Sequence, residues 1–200
     1  MGALAWEEVP AAAALLARAF ADQPLPRAIH GPDPRRRLRE VEETFALDLG
    51  AVHGEAWCSA LRETGALRGV LVAAPPGSRP LPGPSLRARL HAAWRQGLAV
   101  ARRRAALARR LDAHRPPGPH WYLAALGVAP ECARRGVGTA LVRDWLAQVD
   151  AEGASAYLEA DVPENLAFYR RFGFAPVDAF GVLGVAVRVL RRPASSGGGR

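Results

Sequence analysis

Two glycines and two arginines precede an apolar periodic stretch in the run CARRGVGTAL, which covers residues 132–141. Helical periodicity begins at Val137, so the glycines are expected to lead directly into the first turn of a helix. The N–H groups of that turn are unpaired and lie at the positive end of the helix dipole, where a diphosphate binds well. Arg134 and Arg135 add positive charge to the same loop. The pattern predicts a phosphate-binding loop, and a plain tight turn with solvated arginines is the alternative that two glycines alone leave open.

Further residues with possible chemistry lie close to this loop in the sequence. Glu159 ends a predicted strand, and Asn165 and Tyr169 stand four residues apart on a predicted short helix, so they share one of its faces. Cys132 could act as a nucleophile, but no histidine near it in the sequence could activate it. A dinucleotide-binding fingerprint is disfavoured, because Leu141 stands where a third small residue is required.

The composition excludes several classes of protein. All 27 basic residues are arginine, and the absence of lysine rules out a P-loop and the Schiff-base and pyridoxal enzymes. Cys58 and Cys132 lie far apart and lack the partner spacing of a disulfide framework or a four-ligand zinc site, so no metal is predicted. Neither a signal peptide nor an apolar run of about 18 residues is recognisable. We therefore expect a cytoplasmic protein with no membrane partner.

The glycine loop lies within a predicted strand, helix and strand between Trp121 and Glu159. Such a succession predicts a parallel crossover unit, which would place the loop at the carboxyl end of the first strand. The short helix with Asn165 and Tyr169 follows, opened by a capping box at 161–164, and two final strands run to about residue 190. A single domain over residues 1–191 and a disordered tail at 192–200 are predicted.

The first half of the chain is predicted to be mainly helical. Helices are expected over about 9–20 and from an Asp33 cap onwards, with a loop at 21–26 between them. Two short strands follow, and a proline-rich loop at 75–84 leads into one long arginine-rich helix over about 86–111. Apolar residues at helical spacing, among them Leu90, Trp94 and Leu98, are predicted to form the buried stripe of that long helix.

The run LAALGVAPECARRGVGTALV, continued by LEADVPENLAFYRRFGF, resembles the GCN5-related N-acetyltransferase (GNAT) superfamily. Members carry a pyrophosphate loop of the form Gln/Arg-x-x-Gly-x-Gly/Ala, after a strand that ends in an apolar-x-Val-x-Pro pattern. Leu126 to Pro130 match the strand end, whereas Ala133 occupies the Gln/Arg position and departs from the pattern. The resemblance spans residues 121–174 and implies an α/β GNAT fold. That fold is a mixed, mostly antiparallel, twisted sheet of about six to seven strands flanked by helices, with a splayed central parallel pair.

The resemblance also implies a co-substrate, acetyl-CoA, and roles for particular residues. Tyr169 would protonate the leaving thiolate, and Glu159 would act as the general base or bind the ammonium form of the acceptor. Asp22 and Gln23 would line the acceptor pocket, and Arg171 is a weaker candidate for a ribose phosphate contact. The expected cofactor-binding residues are Leu126, Val128, Arg134, Arg135, Gly136, Val137, Gly138, Thr139 and Asn165.

The segments AFADQPLPR and FYRRFGF are similar to the puromycin N-acetyltransferase-like branch, which modifies small-molecule amines. This implies direct acetyl transfer to a primary amine in a ternary complex, by a monomer or a homodimer. One alternative is a protein or peptide N-acetyltransferase, which needs a groove that the segment 75–111 does not roof. The other alternative, from a different class, is a nucleic-acid-binding module built on the arginine-rich helix. Its scarcity of aromatic residues disfavours that reading.

Overall fold

In the computed structural model, which describes residues 1–77 and 83–194, seven strands form one mixed sheet in the order β1-β2-β3-β4-β5-β7-β6. The strands are β1 (Gly2–Ala3), β2 (Trp57–Glu63), β3 (Ala66–Ala74), β4 (Trp121–Val128), β5 (Ala156–Ala160), β6 (Ala175–Val182) and β7 (Val185–Arg192). The α-helices are α1 (Val9–Phe20), α2 (Pro24–His30), α3 (Pro34–Val52), α4 (Leu86–Gln96), α5 (Leu98–Ala113), α6 (Val137–Ala151) and α7 (Pro163–Arg170).

One pair of strands in this sheet is parallel, and the other neighbours are antiparallel. The parallel pair is β4 and β5, joined through α6 as the predicted crossover unit. A mixed, mostly antiparallel sheet with one central parallel pair and flanking helices confirms the fold class expected from the sequence.

Alternating side chains of β3 contribute to two apolar clusters on opposite faces of the sheet. Val70 and Val72 pack with α1 and α3, whereas Leu71 and Ala73 pack with α6. This alternation is the period of two that any strand imposes on its side chains. The sheet is therefore covered on both faces, and α6 lies directly over the crossover.

Two glycines let the helices approach the sheet closely. A Cβ at Gly69 would lie 2.6 Å from Cγ1 of Val137 on α6, and one at Gly127 would lie 2.6 Å from Cδ2 of Leu16 on α1. Real Cβ atoms do not tolerate such distances, so each glycine fixes the depth at which its helix sits. This packing sets the start of α6 against the middle of the sheet, where the glycine loop must present its backbone.

The predicted long helix is wrong in one respect, because two helices meet at Gly97. Gly97 has a φ of 92°, a conformation that only glycine adopts readily, and it turns the chain between α4 and α5. The side chain of Gln96 is buried there and donates from Nε2 to the carbonyl oxygen of Glu40 at 3.3 Å. The stripe predicted to be buried is instead exposed at Leu90, Trp94 and Leu98.

Three other local expectations also differ from the structure. The predicted loop at 21–26 contains the start of α2, for which Pro24 occupies a first-turn position. Asp161 does not cap α7, whose N-cap is Val162, and its carboxylate instead accepts a hydrogen bond from the backbone N–H of Leu25 at 2.9 Å. Arg192 belongs to β7 rather than to a tail, and residues 195–200 of the predicted tail lie outside the described residues.

The predicted cap at Asp33 is confirmed, since its carboxylate accepts hydrogen bonds from the backbone N–H groups of Arg35 and Arg36 at 2.9 and 3.1 Å. Throughout the described ranges, 1–77 and 83–194, none of the helices combines the length and the apolar character that crossing a membrane requires.

An ion pair between Glu8 and Arg62 holds the N-terminal segment against β2. Arg62 donates from Nε to Oε1 of Glu8 at 2.6 Å and from Nη2 to Oε2, while the Ala5 backbone N–H donates to Oε2 at 2.9 Å. The hydrogen bonds from Arg62 and from the Ala5 backbone lower the pKa of Glu8 from 4.5 to about 2. The folded-state pKa lies below the unfolded one, so this stabilisation is complete above about pH 4.5 and is lost as the pH falls through about 2.

We expect Glu8→Gln to lower the free energy of unfolding by about 1 kcal/mol at pH 7, because both side chains of the pair are still partly exposed to solvent. The difference from the wild-type protein should shrink as the pH is lowered towards 2. Urea unfolding at several pH values measures both quantities. Glu7→Gln is the matched control, since Glu7 is exposed and makes no ion pair with the described residues. An equal loss of stability in both variants would contradict the assignment.

Candidate active site

A cavity of about 790 Å³ opens where β4 and β5 separate. The two strands pair only through Trp121–Leu123 and Ala156–Leu158, although β4 continues to Val128 and β5 to Ala160. The edge of β4 that faces β5 is therefore not paired with it beyond Leu123. Backbone polar groups at such an edge need other partners, and a ligand in the cleft can provide them.

An irregularity in β4 lies beside the opening. Val72 of β3 pairs with Ala125, but the next residue, Ala73, pairs with Leu123, so Ala124 is an extra residue in β4. Bulges of this kind bend a strand and change the direction of its backbone groups. Ala124, Ala125 and Leu126 all line the cavity. The bulge and the loss of pairing together account for the splayed geometry at this point.

The glycine loop forms one end of the cavity. Arg134 has a φ of 61° and Gly136 a φ of 85°, so two residues of the loop adopt the left-handed conformation. Gly136 is the N-cap of α6, and no side chain caps this helix. Its first-turn N–H groups are consequently open to a ligand at the positive end of the helix dipole. The loop therefore presents backbone N–H groups at this end of the cavity.

Gly138 lies in the first turn of α6, on its cavity side. A Cβ built at this position would lie 3.5 Å from Phe168 Cζ, 3.5 Å from Val128 Cγ2 and 3.9 Å from Leu126 Cδ2, all of which are ordinary contacts. Its φ is not in the left-handed region. The packing of the protein does not by itself require glycine at position 138. A glycine here is instead explained if a ligand approaches the backbone closely, as a diphosphate does at the N-terminus of a helix.

Tyr169 is the buried polar group of the cavity wall formed by α7. Its ring packs against Phe168 and Phe174, with centroids 5.0 and 5.9 Å away. Within residues 1–77 and 83–194, no hydrogen bond to its hydroxyl is present. Burial raises the pKa of the Tyr169 phenol well above its ordinary value of 10. The phenol therefore stays protonated at any ordinary pH and can donate a proton into the cavity.

Two carboxylates at the end of β5 lie on the other side of the opening. Glu159 and Asp161 both line the cavity. So do Leu158, which precedes Glu159, and Ala160, which lies between the two carboxylates in the chain. Gln23, at the start of α2, faces the same space and donates from Nε2 to the Ala19 carbonyl oxygen at 3.2 Å. The cavity is thus lined both by the arginine-containing glycine loop and by carboxylates.

The structure brings most of the predicted site residues together around this cavity. Those that line it are Gln23, Leu126, Val128, Arg134, Gly136, Val137, Gly138, Thr139, Glu159, Asn165 and Tyr169. Arg171, the weaker candidate, also lines it, with its guanidinium carbon 5.2 Å from the centre of the Phe168 ring. Arg135 does not line the cavity and is exposed.

Asp22 is the second predicted site residue that does not line the cavity. Its carboxylate accepts a hydrogen bond from Arg37, which lowers the pKa of Asp22, and faces a separate pocket beside Gly31. The buried Arg37 also donates to the carbonyl oxygens of Ala21 and Gly31 at 2.6 and 2.9 Å. Asp22 therefore belongs to a polar cluster that joins α1 to the start of α3.

Two charged lining residues were not predicted to belong to the site. Arg18 of α1 faces the cavity and lies 3.4 Å from Glu131, which follows β4. Asp161 was interpreted as a helix cap. No sequence signal pointed to Arg18, because its partner is 113 residues away and the contact depends on how α1 crosses the sheet. Asp161 follows Glu159 by two residues, and this alternate spacing at a strand end was a usable signal.

The cavity contains little that would support metal-dependent or covalent chemistry by the protein's own groups. In the described part of the chain, no cluster of three histidine, cysteine, aspartate or glutamate side chains could hold a metal ion. Cys132 lines the cavity and is buried, but no histidine is among the described lining residues. A cysteine nucleophile there would lack a nearby imidazole base.

Comparison with known proteins agrees with this geometry. The sequence model described as the acetyltransferase (GNAT) family matches residues 27–174, more than half of the chain. Among solved structures, the chain is similar to "histone acetyltransferase HPA2 and related acetyltransferase" from Corynebacterium glutamicum, with 20% identity and a TM-score of 0.72 over 99% of this chain and 97% of that one.

Two further structures share the fold at lower similarity. The ribosomal-protein alanine N-acetyltransferase from Escherichia coli is 16% identical, with a TM-score of 0.58 over 98% of this chain and 94% of that one. An agmatine N-acetyltransferase is 16% identical, with a TM-score of 0.54 over 94% of this chain and 95% of that one. The acceptors named for these two enzymes differ in class, one being a protein and the other a small amine.

Proposed function

Since the chain belongs to the acetyltransferase (GNAT) family, whose members use acetyl-CoA, we propose that it transfers the acetyl group directly to the primary amine of a small molecule. The observation that carries this proposal is the joint lining of one cavity by the open N-terminus of α6, Tyr169 and the carboxylates of Glu159 and Asp161. When bound, acetyl-CoA would supply an activated thioester. The residues of this chain would bind it, orient it and move two protons.

The glycine loop and the first turn of α6 would hold the diphosphate. Gly138 supports this assignment, because the protein's own packing does not require a glycine at this position of the first turn. Ala133 also lines the cavity, so the side-chain contact typical of the family at that position is missing. Arg18, Arg134 and Arg171 line the cavity and can supply the positive charge that the phosphates require.

The unpaired edge of β4 would orient the thioester. Beyond Leu123 that edge does not pair with β5, and Leu126 and Val128 line the cavity. Backbone N–H groups there can donate to the carbonyl oxygen, on which negative charge grows as the amine attacks. Asn165 on α7 faces the same space and can bind the amide groups of the cofactor arm.

Proton transfer would involve two groups that line the cavity, Glu159 and Tyr169. The acceptor amine must lose a proton before it can attack, and Glu159 can take that proton directly or through a water. The nitrogen would then form a bond to the carbonyl carbon and give its second proton to water in the cleft as the carbon–sulfur bond breaks. Tyr169 Oη would give its proton to the leaving thiolate and regain one from water, and its raised pKa means that the phenol is protonated before the reaction.

The carboxylates at the end of β5 favour a cationic acceptor. An alkyl amine is an ammonium ion at neutral pH, and Glu159 and Asp161 would attract it to the cavity. The agmatine N-acetyltransferase of similar fold, as its name says, also acts on a small cationic amine. Small amines with a second positive charge are therefore the acceptors that we propose first.

A protein or peptide acceptor is the second candidate, and one observation supports it. The segment 75–111 was expected to roof the acceptor groove, but its described residues, 75–77 and 83–111, do not line the cavity. The rest of that segment, 78–82, lies outside the described residues. A peptide N-terminus could therefore approach the cavity, and the ribosomal-protein enzyme of similar fold acts on a protein, as its name says.

A thiol-release assay with acetyl-CoA separates the two acceptors. We expect thiol release with agmatine or a short polyamine, and a KM that rises when Glu159 is replaced by Gln. Peptides with free N-termini, at matched concentrations, should release little thiol. Release with peptides alone would refute the small-amine acceptor, and the absence of acetyl-CoA binding in calorimetry would refute the enzyme assignment itself.

Asp22→Asn tests which neighbouring residue faces the acceptor. We expect the KM for the acceptor amine to stay unchanged, because Asp22 faces away from the cavity. Stability should fall by less than about 1 kcal/mol, since the carboxylate that Arg37 binds is largely exposed. The matched variant Gln23→Ala should raise the same KM without loss of stability. Steady-state kinetics and urea unfolding report the two effects, and a raised KM in Asp22→Asn would return Asp22 to the acceptor pocket.

A further inference from the structure

A row of large apolar side chains projects outwards from α4 and the start of α5. Leu86, Leu90 and Trp94 stand four residues apart, so they lie along one side of α4, and Leu98 is the first residue of α5 after Gly97. Their exposed fractions are 70%, 62%, 81% and 67%. We call these four residues the apolar ridge. Contiguous exposed apolar side chains of this kind usually mark a surface that another molecule covers.

Positive charge without a partner borders the apolar ridge. The segment 86–111 contains eight arginines and no acidic residue. Four of the arginines are bound within the protein, for example Arg95 to Glu43 at 2.7 Å and Arg104 to Asp48 at 3.4 Å. The other four are exposed and make no ion pair or hydrogen bond with the described residues, and we call them the outer arginines: Arg87, Arg89, Arg102 and Arg109.

On each helix the outer arginines lie beside the residues of the apolar ridge. Arg87 and Arg89 flank the row of leucines on α4. On α5, Leu98, Arg102 and Arg109 are spaced by four and seven residues, which places them on one face. The surface therefore combines leucine and tryptophan side chains in the middle with long cationic side chains at the borders.

We propose that the apolar ridge and the outer arginines dock the protein on an anionic lipid surface, with α4 lying in the headgroup plane. Leucine and tryptophan side chains partition into the boundary between headgroups and acyl chains, while arginines at the borders bind lipid phosphates. The net charge of +8 attracts the whole protein towards such a surface. This contact is peripheral and revises the expectation of no membrane partner without requiring a membrane span.

Two other occupants fit the surface less well. A second copy of the same face would bring the outer arginines of both copies together, and the segment 86–111 offers no acidic residue to neutralise them. A nucleic acid would use the arginines, but its bases need aromatic side chains to stack on, and Trp94 is the one aromatic residue of the ridge. The exposed leucines would remain uncovered in that complex.

The proposed docking surface is separate from the lining of the catalytic cavity. No residue of α4 or α5 lines the cavity. Variants of the ridge can therefore be tested for lipid binding and, separately, for acetyl transfer in the absence of lipid. Failure of lipid binding leaves the proposed enzymatic function untouched, since the two proposals depend on different residues.

Co-sedimentation of the full chain with vesicles tests the proposal. We expect binding to vesicles of phosphatidylcholine and phosphatidylglycerol in roughly a 7:3 ratio, and little binding to phosphatidylcholine alone. Leu90→Ser combined with Trp94→Ser should weaken the binding about tenfold or more. Serine at all four outer arginines should weaken it by a similar factor or more, and high salt should have the same effect.

The control variant combines Val177→Ser with Arg143→Ser, two exposed residues on other elements, and should bind like the wild-type protein. Circular dichroism and acetyl transfer without lipid should be unchanged in all variants. The absence of binding to the anionic vesicles overturns the proposal. A second overturning result is a dimer in light scattering that dissociates in the Leu90→Ser and Trp94→Ser double variant, when the wild-type protein does not bind the vesicles. Tight binding of a single-stranded RNA that the arginine variant loses, again without vesicle binding, overturns it in favour of nucleic acid.

Discussion

Replacing Gly138 by glutamate is expected to abolish acetyl-CoA binding, with a loss of affinity of about 100-fold or more. The side chain would start on the cavity side of the first turn of α6, between Val128 and Phe168. Its carboxylate would then lie where the diphosphate has to bind, against the open N–H groups of that turn. Like charges at this distance in a partly buried site repel strongly, and the helix dipole would hold the carboxylate in place.

The backbone at position 138 should accept a Cβ atom. A Cβ at position 138 meets neighbouring atoms at 3.5 Å or more, and the backbone there is not in the left-handed region. Gly136, with a φ of 85°, would be a poor choice for the same test, because any side chain there strains the loop whether or not a ligand binds.

Isothermal titration calorimetry with acetyl-CoA measures the effect, and thermal unfolding verifies that the variant is folded. Gly138→Ala and Gly138→Gln separate size from charge. Alanine should weaken binding modestly, glutamine more, and glutamate most, since only glutamate adds a charge that opposes the phosphates. Equal affinities for the glutamine and glutamate variants would show that the diphosphate does not lie at this turn.

The features that the sequence predicted well are those coded by neighbouring residues. The β4 strand, the glycine loop and α6 depend on local apolar periodicity and on glycines at the turn, and they occur where the pattern indicated. The Asp33 cap depends on N–H groups only two and three residues away. The glycine loop was therefore predictable from one short stretch of chain.

The features that the sequence predicted poorly depend on contacts between distant segments. Asp22 and Gln23 are neighbours, yet Gln23 lines the cavity while Asp22 pairs with Arg37 on α3. A sequence pattern cannot tell which of the two side chains faces the cavity. Both precede α2, which begins at Pro24, and the direction of each side chain follows from how that turn packs. Arg18 faces the cavity for a similar reason, since its position depends on the crossing of α1 over Gly127.

The arginine-rich segment shows a different limit. Leu90, Trp94 and Leu98 have the spacing of a buried stripe, and periodicity cannot tell a face covered by the protein itself from a face left for another molecule. The break at Gly97 turns the two helices so that α5 packs on β6 and β7 through Leu107 and Leu111, while the ridge remains outside. The same pattern thus has two structural outcomes.

Tyr169→Phe is expected to reduce turnover by about one to three orders of magnitude while leaving the dissociation constant of acetyl-CoA nearly unchanged. A thiol with a pKa of about 8.5 leaves as a partly stable anion, so the acid assists the reaction without being indispensable. The phenol is buried in the α7 wall, and its packing against Phe168 and Phe174 remains possible for a phenylalanine. The variant thus removes the proton donor and keeps the shape of the wall.

The pH dependence of turnover in the wild-type protein should also reflect a Tyr169 phenol that stays protonated. Because burial raises the pKa of Tyr169 above its ordinary value of 10, the phenol remains protonated through the alkaline range. Turnover should therefore rise with pH as the acceptor amine loses its proton, and Tyr169 should cause no alkaline decline below about pH 10. Stopped-flow or steady-state thiol release, at saturating acetyl-CoA, measures the turnover of both proteins across this range.

The matched control is Tyr157→Phe, since Tyr157 is also buried but packs in the cluster of β6 and β7 and does not line the cavity. This variant is expected to keep the turnover of the wild-type protein even if it loses stability. A Tyr169→Phe variant with wild-type turnover, or one whose loss appears entirely in acetyl-CoA affinity, would contradict the acid role. In that case the thiolate would have to leave unprotonated or take its proton from water in the open cleft.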